Sequence, residues 1–389
     1  MRVLYDHQIF DIQNFGGISR YFTEIISNFS SEIKTEIAIA YSDNLYLWEK
    51  NLTSNIEHIF NPKDKFLGEV DFRGKGRLFN VIKKFYPERF KEAHHYNKKK
   101  SIELLKKKEF DIFHPTYYDD YFLEYLGNKP FVLTIHDLIP ELYPELYTGL
   151  KELQLSKMKE NLANKANHII AVSQNTKKDI INIFGIKENK ISVIYHSTSL
   201  HSKEGVIKVP EKFILYVGDR HAGYKNFKFM VRAVSSILKE YKELNVVCLG
   251  HDFDVNEREL LRNLGVSNRF ISMFASEDLI SEIYCKALFL LYPSYYEGFG
   301  IPILEAFALS CPVLLSDIYC FREIAKDAGF YFNAKDIVDL REKISVLLVD
   351  KDIRKRMIVN GLSRSSDFSW IKSTEQTVAV YKNLYERFS

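Results

Sequence analysis

The feature that most constrains the fold of this 389-residue chain is a repeated alternation of short apolar runs with longer amphipathic segments. The apolar runs are nearly continuous in Ile, Val, Leu and Phe, which is typical of parallel strands covered on both faces. In the first half these runs are residues 3–5, 36–41, 110–115, 131–137, 168–173 and 191–196. In the second half they are residues 213–218, 245–250, 269–274, 287–293, 312–317 and 329–333.

A polar gap interrupts the alternation at residues 197–212, which lack periodicity and contain Pro210. We place an interdomain linker there. The sequence therefore predicts an α/β protein of two doubly wound domains, residues 1–205 and 206–365, that face each other across a cleft. Ligands of open α/β sheets bind at the carboxyl ends of the strands, so we expect the chemistry at the turns that follow those ends.

Composition and charge exclude several classes of protein. The chain is 46% apolar and 27% charged, which is a globular composition. Its net charge of +3 does not argue for nucleic-acid binding. No uncharged apolar run reaches the ~18 residues of a membrane span. The four cysteines show no paired spacing and no signal peptide is visible, so we expect the cytoplasm.

The turn YYEGFGIPILEAF, residues 295–307, carries the strongest chemical signal. Gly298 and Gly300 carry no side chains, so backbone amides at the start of the following helix can approach a ligand, and phosphate is the usual occupant. Glu297 and Glu305 bracket the turn, where their carboxylates can accept hydrogen bonds from sugar hydroxyls. The alternative is that both glutamates only favour the helix N-terminus through its dipole.

Two further turns lie at strand ends. Arg220 and Lys225 follow the first strand of the second half, where two cations can neutralise a diphosphate. The alternative is a pair of solvated loop charges. Gly16 and Gly17 link the first strand of the chain to its first helix, and a phosphate-cradling turn and a plain tight turn explain them equally well.

His136 ends a buried apolar run at the predicted cleft edge, where an imidazole can act in acid–base chemistry or bind a substrate hydroxyl. The alternative is a structural histidine. His114 lies at a similar strand end and is a candidate for the acceptor side.

The chain has no D-x-D, no H-E-x-x-H and no Cys/His cluster, so no metal site is predicted. His94 and His95 are interpreted as solvated.

Together these residues resemble the retaining glycosyltransferases of family 4, which have the GT-B fold of two Rossmann-like domains. The resemblance extends in order over essentially the whole chain. Its motifs are E-x7-E from Glu297 to Glu305, GGISRY (16–21), TIHD (134–137), IIAVS (169–173) and VGDRHAGYKN (217–226). The N-terminal sequence resembles that of the family members that build O-antigen, capsule and related bacterial polysaccharides.

The resemblance implies a role for each matching residue. His136 and Glu297 would be the catalytic residues beside the donor sugar, and Glu305 would bind the ribose. The donor diphosphate would lie among residues from both domains: Gly17, Arg220, Lys225, Gly298, Phe299, Gly300 and Ile301. The base would be read largely by backbone in the turn that contains Phe274, Ala275 and Leu279.

The resemblance also implies partners and domain roles. The first domain would bind the acceptor, a glycan or lipid-linked glycan, and the second a GDP- or UDP-linked sugar such as a mannose or deoxyhexose donor. No metal ion and no organic cofactor is expected. The terminal segment 366–389, whose apolar residues need a partner surface, would pack back onto the first domain as a helix.

Residues 73–108 hold 13 Lys/Arg against 3 Glu and interleave them with apolar side chains. One interpretation is a basic amphipathic element that rests on anionic lipid of the inner membrane face. The alternative is a solvated helix face.

Two other functions stay open for the whole chain. One is a nucleotide-sugar epimerase, which would consume the sugar nucleotide without an acceptor. The other is a non-catalytic sugar-binding scaffold.

Overall fold

The predicted alternation of strands and helices forms parallel sheets in both halves of the chain. The structure is a computed structural model that describes residues 1–59, 92–147, 149–202, 207–274 and 276–388. Every strand pairing between its named strands is parallel. No helix among the described residues is long and apolar enough to cross a membrane.

The strands of the first half lie side by side as two short sheets joined at their edges. They are β1 Arg2–Tyr5, β2 Lys34–Ile37, β3 Ile112–His114, β4 Val132–Ile135, β5 His168–Ala171 and β6 Ile191–Val193. The orders are β2-β1-β3 and β4-β5-β6. A parallel bridge between Phe113 and Phe131 connects β3 to β4, so the carboxyl ends of β1, β3 and β4 all reach the same edge.

The second half contains one six-stranded sheet in the order β12-β11-β10-β7-β8-β9. Its strands are β7 Lys212–Val217, β8 Leu244–Leu249, β9 Phe270–Met273, β10 Phe289–Tyr292, β11 Val313–Ser316 and β12 Phe330–Phe332. Successive residues of β10 enter different cores: Leu290 and Tyr292 belong to one cluster, and Phe289 and Leu291 to the other. The sheet is therefore covered on both faces, which confirms the interpretation of its continuous apolar runs.

Helices follow the strands in both halves. In the first half they are α1 Gln8–Ile12, α2 Gly17–Ser27, α3 Leu45–Glu49, α4 Ala93–Lys107, α5 Leu123–Leu126, α6 Ile139–Leu142, α7 Leu150–Lys165 and α8 Gln174–Phe184. In the second half they are α9 Phe227–Glu240, α10 Val255–Asn263, α11 Glu277–Lys286, α12 Ile301–Ala308, α13 Tyr319–Ala325, α14 Ile337–Val349, α15 Lys351–Ser365 and α16 Trp370–Phe388.

Local sequence explains where helices next to the cleft begin and end. Ser173 caps α8 by accepting a hydrogen bond from the Thr176 amide at 3.0 Å, and Gly185 ends the helix in the left-handed conformation at φ 66°. Asp254 and Glu257 form a reciprocal capping box at the start of α10. These caps fix the orientation of two helices whose first residues lie beside candidate site residues.

The helix α16 returns to the first half of the chain. Its Tyr381 is fully buried, and the Tyr381 hydroxyl lies 2.7 Å from the Tyr5 hydroxyl of β1. Trp370 belongs to the same apolar cluster as Val3 and Tyr21. The chain therefore passes from the first half to the second between β6 and β7 and returns to the first half between α15 and α16.

Candidate active site

The predicted site residues meet where β4 of the first half and β7 and β10 of the second half end. A Cβ added to Gly298 would lie 1.8 Å from the His136 carbonyl oxygen, so only glycine allows this approach. The Gly298 carbonyl accepts hydrogen bonds from the Ser173 and Thr176 hydroxyls at 2.6 and 3.1 Å. The E-x7-E turn is therefore docked against the strand end of His136 and the start of α8.

Glu297 is buried and is held by partners from its own half. Its Oε1 accepts hydrogen bonds from the Ser294 hydroxyl and from Lys225 Nζ, both at 2.7 Å. Lys225 Nζ also donates to the Tyr292 hydroxyl at 3.1 Å. Lys225, predicted to contact a diphosphate, therefore also compensates the buried carboxylate beside it.

Glu305 is buried too, but one of its partners comes from the opposite half. Arg20 of α2 donates from Nη1 to Glu305 at 3.1 Å, and the Tyr284 hydroxyl of α11 donates at 2.9 Å. The Arg20 guanidinium lies 4.9 Å from the centroid of the Tyr46 ring. Burial, which opposes the charge of Arg20, is outweighed by Glu305 and Tyr46, so the pKa of Arg20 is raised. Arg20 stands within the GGISRY motif, yet no role was predicted for it.

Arg220 is fixed in a local network. Its Nε donates to Glu257 at 2.7 Å, and its Nη2 donates to the His251 and Asp252 carbonyls at 2.5 and 3.1 Å. The guanidinium also lies 4.8 Å from the centroid of the Phe253 ring. Arg220 is therefore oriented before any ligand arrives, which lowers the entropy lost when it binds one.

His136 has an unsatisfied polar atom at the contact between the halves. Its Nε2 is buried and has no hydrogen-bond partner among the described residues. The ring stacks on His196 at 5.6 Å and meets the edge of Tyr21 at 5.4 Å. Burial, reinforced by the charges of His196, His114 and Lys159, holds the pKa of His136 well below its usual value. A neutral imidazole with an orphaned nitrogen is prepared to accept or donate one hydrogen bond to a ligand.

The starts of α2 and α12 approach each other from opposite halves. A Cβ added to Gly17 would lie 3.3 Å from Cδ1 of Ile301, the first residue of α12. Gly300 precedes α12 with φ 104°, a conformation that favours glycine. The Phe299 side chain is buried in the core, so only its backbone is available to a ligand. Helix N-termini attract anions, so two that converge on one place can bind an anion together.

Two tyrosines lie beside this site, Tyr147 from the first half and Tyr224 from the second. Burial, with the charges of Asp137 and Glu297, raises the pKa of Tyr147 to about 12. Tyr224 has its pKa raised by burial and by the same two carboxylates. Both phenols therefore stay protonated at neutral pH and can donate hydrogen bonds to sugar hydroxyls.

The predicted base region directly follows β9. Phe274 is 69% exposed, and its ring meets the edge of Phe15 from the first half at 5.8 Å. Leu279 is half-buried in the first turn of α11. Ala275 lies outside the described residues. The contact of Phe15 with the predicted base region was not predicted from the sequence, because nothing in the local pattern around Phe15 distinguishes it from other exposed aromatic residues.

The structure changes the interpretation of two histidines and of part of the basic segment. His114 does not line the acceptor side: it is buried, with Nε2 2.9 Å from the Thr134 hydroxyl and Nδ1 2.5 Å from the Tyr381 hydroxyl. Of the basic segment 73–108, residues 73–91 lie outside the described residues, and the rest forms α4 and its flanks. His94 is not merely solvated, since its Nδ1 lies 2.7 Å from Asp11 Oδ2.

Two protein families match the chain. The model of glycosyl transferases group 1 matches residues 197–364, and the model of Glycosyltransferase Family 4 matches residues 58–201. The O-antigen chain mannosyltransferase RfbU of Salmonella typhimurium is 28% identical over 251 residues, which are 60% of this chain and 69% of that protein. The O-antigen chain mannosyltransferase B of Escherichia coli is 27% identical over 269 residues, which are 65% of this chain and 70% of that protein.

Solved structures resemble the whole chain. The crystal structure of Anabaena HepE in complex with UDP and glucose superposes with a TM-score of 0.70 at 16% sequence identity. The match covers 98% of this chain and 99% of that one. At this identity the likeness establishes the arrangement of strands and helices.

Proposed function

This chain belongs to glycosyltransferase family 4 and has the GT-B fold, and we propose that it transfers a hexose from a nucleotide-diphosphate sugar to a hydroxyl of a growing bacterial surface glycan. The transferred sugar is mannose or a deoxyhexose, and the anomeric configuration is retained. The relatives named as O-antigen mannosyltransferases support this choice of sugar and acceptor.

The observation that carries the proposal is the orphaned Nε2 of His136 at the contact between the halves. A buried nitrogen without a partner costs free energy unless a ligand satisfies it. Glu297 lies in the neighbouring turn, docked through Gly298 onto the His136 backbone. A donor sugar bound at this contact gives His136 a hydroxyl partner and places its other hydroxyls within reach of Glu297, Tyr147 and Tyr224.

The leaving diphosphate gains negative charge as the glycosidic bond to it breaks. The N-termini of α2 and α12, with Lys225 and Arg220, stabilise that charge through groups already oriented in the free protein. Such electrostatic stabilisation usually contributes more to catalysis than any other single effect. Glu305 binds the ribose, and the backbone around Phe274 receives the base. With these cations and amides the transfer requires no divalent metal ion.

Retention follows a same-face route in which the leaving phosphate oxygen takes the proton of the acceptor hydroxyl. We propose no covalent intermediate on Glu297, whose Oε1 is held by Lys225 and Ser294. Glu297 instead orients the donor sugar through its hydroxyls. The reaction takes place in the cytoplasm, at the inner membrane face, where residues 73–108 contact anionic lipid.

The experiment that tests the proposal measures nucleoside diphosphate release from GDP-mannose and UDP-glucose, with and without a lipid-linked glycan acceptor. Release that depends on the acceptor supports a transferase. Release without an acceptor, accompanied by a changed sugar, identifies the epimerase alternative. A thermal shift with GDP or UDP but no release from any donor identifies a non-catalytic scaffold. Co-sedimentation with vesicles of anionic and neutral lipid checks the membrane contact separately.

A further inference from the structure

Three metal-ligating side chains meet away from the sugar site, at the carboxyl end of β1. They are His7 at the start of α1, Asp11 within α1 and His94 in the first turn of α4. One ligand atom of each lies within 4.8 Å of the other two. Asp11 Oδ2 is 3.7 Å from His7 Nε2 and 2.7 Å from His94 Nδ1. The cluster joins residues that are more than 80 positions apart in the chain.

The hydrogen bonds of Ser101 fix the tautomer of His7. The Ser101 hydroxyl donates to the Ala38 carbonyl at 2.7 Å, and a serine hydroxyl has one hydrogen to give. The Ser101 oxygen, 2.8 Å from His7 Nδ1, must therefore accept the hydrogen of that nitrogen. Neutral His7 then presents the lone pair of Nε2 to Asp11.

This arrangement places two electron-rich atoms opposite each other in a buried setting. His7 is 1% exposed, and the 3.7 Å between its Nε2 and Asp11 Oδ2 is too long for a hydrogen bond. A lone pair that faces a carboxylate oxygen is unfavourable, and a cation between the two atoms removes the repulsion. The spacing is close to the ~3.3 Å between ligand atoms of a tetrahedral zinc ion with metal–ligand distances near 2.0 Å.

Asp11 is oriented as firmly as His7. Its Oδ1 accepts a hydrogen bond from Asn97 Nδ2 at 2.6 Å, and Asn97 Oδ1 accepts from the Ala40 and Tyr41 backbone amides, each at 2.8 Å. The amide group of Asn97 can therefore not turn over. Outer partners that orient a histidine and a carboxylate in this way accompany metal ligands in general.

We propose that His7, Asp11 and His94 bind a divalent transition-metal ion of the Zn²⁺ class through two imidazole nitrogens and one carboxylate oxygen. The 2.7 Å between His94 Nδ1 and Asp11 Oδ2 is shorter than the distance between two ligand atoms of one ion, so the His94 side chain must move away from Asp11 when the ion binds. This side chain is 60% exposed and is free to rotate. The neighbouring charges of Lys98 and Asp119 pair with each other at 3.1 Å and so add little net charge. The ion fastens the start of α4 to the end of β1, independently of the sugar-transfer chemistry.

The test is a calorimetric titration of the full chain with ZnCl2 after treatment with a chelator. The expected result is one equivalent of tightly bound Zn²⁺ and a higher Tm with the metal. His94→Ala should weaken the affinity more than ~10-fold, and Ser101→Ala, which leaves the ligands in place, should weaken it about 10- to 100-fold. Asp11→Asn replaces Ser101→Ala if the latter does not fold.

Matched controls separate the cluster from adventitious binding. His95→Ala removes an exposed imidazole next to His94 on the same helix, and Cys285→Ser removes the one exposed cysteine of the four. Both variants should bind Zn²⁺ as the wild type does. Absence of a stoichiometric site in the wild type, or equal affinity of His94→Ala and His95→Ala, would overturn the proposal. Neither readout depends on transferase activity.

Discussion

Glu297 and Glu305 stand at the two ends of one turn, but their partners come from different parts of the molecule. Glu297 is bound by Lys225 and Ser294 of its own half. Glu305 is bound by Tyr284 of its own half and by Arg20 of the opposite half. The position of Glu297 is thus set within one domain, whereas that of Glu305 depends on how the two halves meet.

Under the proposed function, this difference fits separate tasks for the two carboxylates. A group that orients the sugar must keep its geometry whether the cleft is open or closed, and Glu297 has the partners for that. A group bound across the cleft can report closure, because its hydrogen bond to Arg20 exists only when the halves are together. Substitutions that break either arrangement should differ in their effect on turnover, and the largest effect is expected at Lys225.

Lys225→Met removes the cation that compensates Glu297 and that we propose stabilises the diphosphate. Turnover should fall about 10³-fold, the scale of a lost electrostatic contact to developing charge. Stability should fall by about 3 kcal/mol, because a buried carboxylate loses its partner. Kinetics and urea unfolding of the purified variant measure the two effects.

A second substitution separates these effects. Lys225→Met combined with Glu297→Gln should regain most of the stability but none of the turnover, since the unpaired charge is gone and the site is still incomplete. Lys355→Met, at an exposed lysine that pairs only at 3.5 Å with Asp352, is the control and should change neither. Near-normal turnover of Lys225→Met would refute its role at the diphosphate.

Gly298→Ala tests the docking of the turn on the first half. The new Cβ would lie 1.8 Å from the His136 carbonyl oxygen, so the turn must retreat from His136. A displacement of ~1 Å at reacting groups costs about 10²-fold in rate. In the control Gly149→Ala the new Cβ meets only the Glu152 carboxylate, which can rotate away. Equal rates for the two variants would show that the contact at Gly298 does not position the site.

Arg20→Met tests the link across the cleft. Affinity for GDP or UDP should fall about tenfold, equivalent to a coupling near 1.4 kcal/mol, because Glu305 loses the partner that holds the halves together. Tyr284→Phe is the matched control, since it removes a hydrogen bond to Glu305 that comes from the same half. Calorimetric titration compares the two variants. If they weaken nucleotide binding alike, Arg20 has no role in closure.

Turnover should show no inflection near pH 6.5 from His136, whereas stability should depend on pH. The pKa values of His114 and His196 are lowered to about 3 by burial, and that of His136 is well below its usual value for the same reason. The unfolded chain takes up these protons below about pH 6.5 and the folded chain does not, so stability is lost as the pH falls.

Between pH 7.5 and 5.5 His114 and His196 should each remove about 1.4 kcal/mol of stability, and His136 should add to the loss in the same direction. Urea unfolding at the two pH values measures the loss. His196→Phe keeps an aromatic ring and should reduce the loss by about 1.4 kcal/mol. His201→Gln, at an exposed histidine, should leave it unchanged. A loss that is the same in wild type and His196→Phe would contradict the assignment of a buried neutral imidazole at position 196.

The sequence allowed the fold to be predicted, together with the local structure around those candidate site residues that lie within one strand–turn–helix unit. Apolar runs marked the strands, and glycines with Pro302 placed the start of α12 to within one residue. The second predicted strand was less accurate: β2 ends at Ile37 because its partner β1 ends at Tyr5. Local patterns were sufficient wherever the structure is determined by residues close in the chain.

Contacts between distant segments could not be predicted in this way. Arg20 reaches Glu305 across 285 positions, and Asp11 reaches His94 across 83. No spacing rule connects such residues, since tertiary packing alone sets their distance. His114 was misjudged for the same reason, because its Tyr381 partner lies 267 positions downstream.

The return of α16 to β1 also bears on how the protein is made. The Tyr5 and Tyr381 hydroxyls are separated by 376 positions, yet they share one buried cluster with Trp370. Synthesis proceeds from the N-terminus at about 5–20 residues per second. Until α16 emerges from the ribosome, the first half has an uncovered apolar surface beside β1. This half should therefore be the part of the nascent chain that engages chaperones, and its last folding step should wait for the helix that completes it.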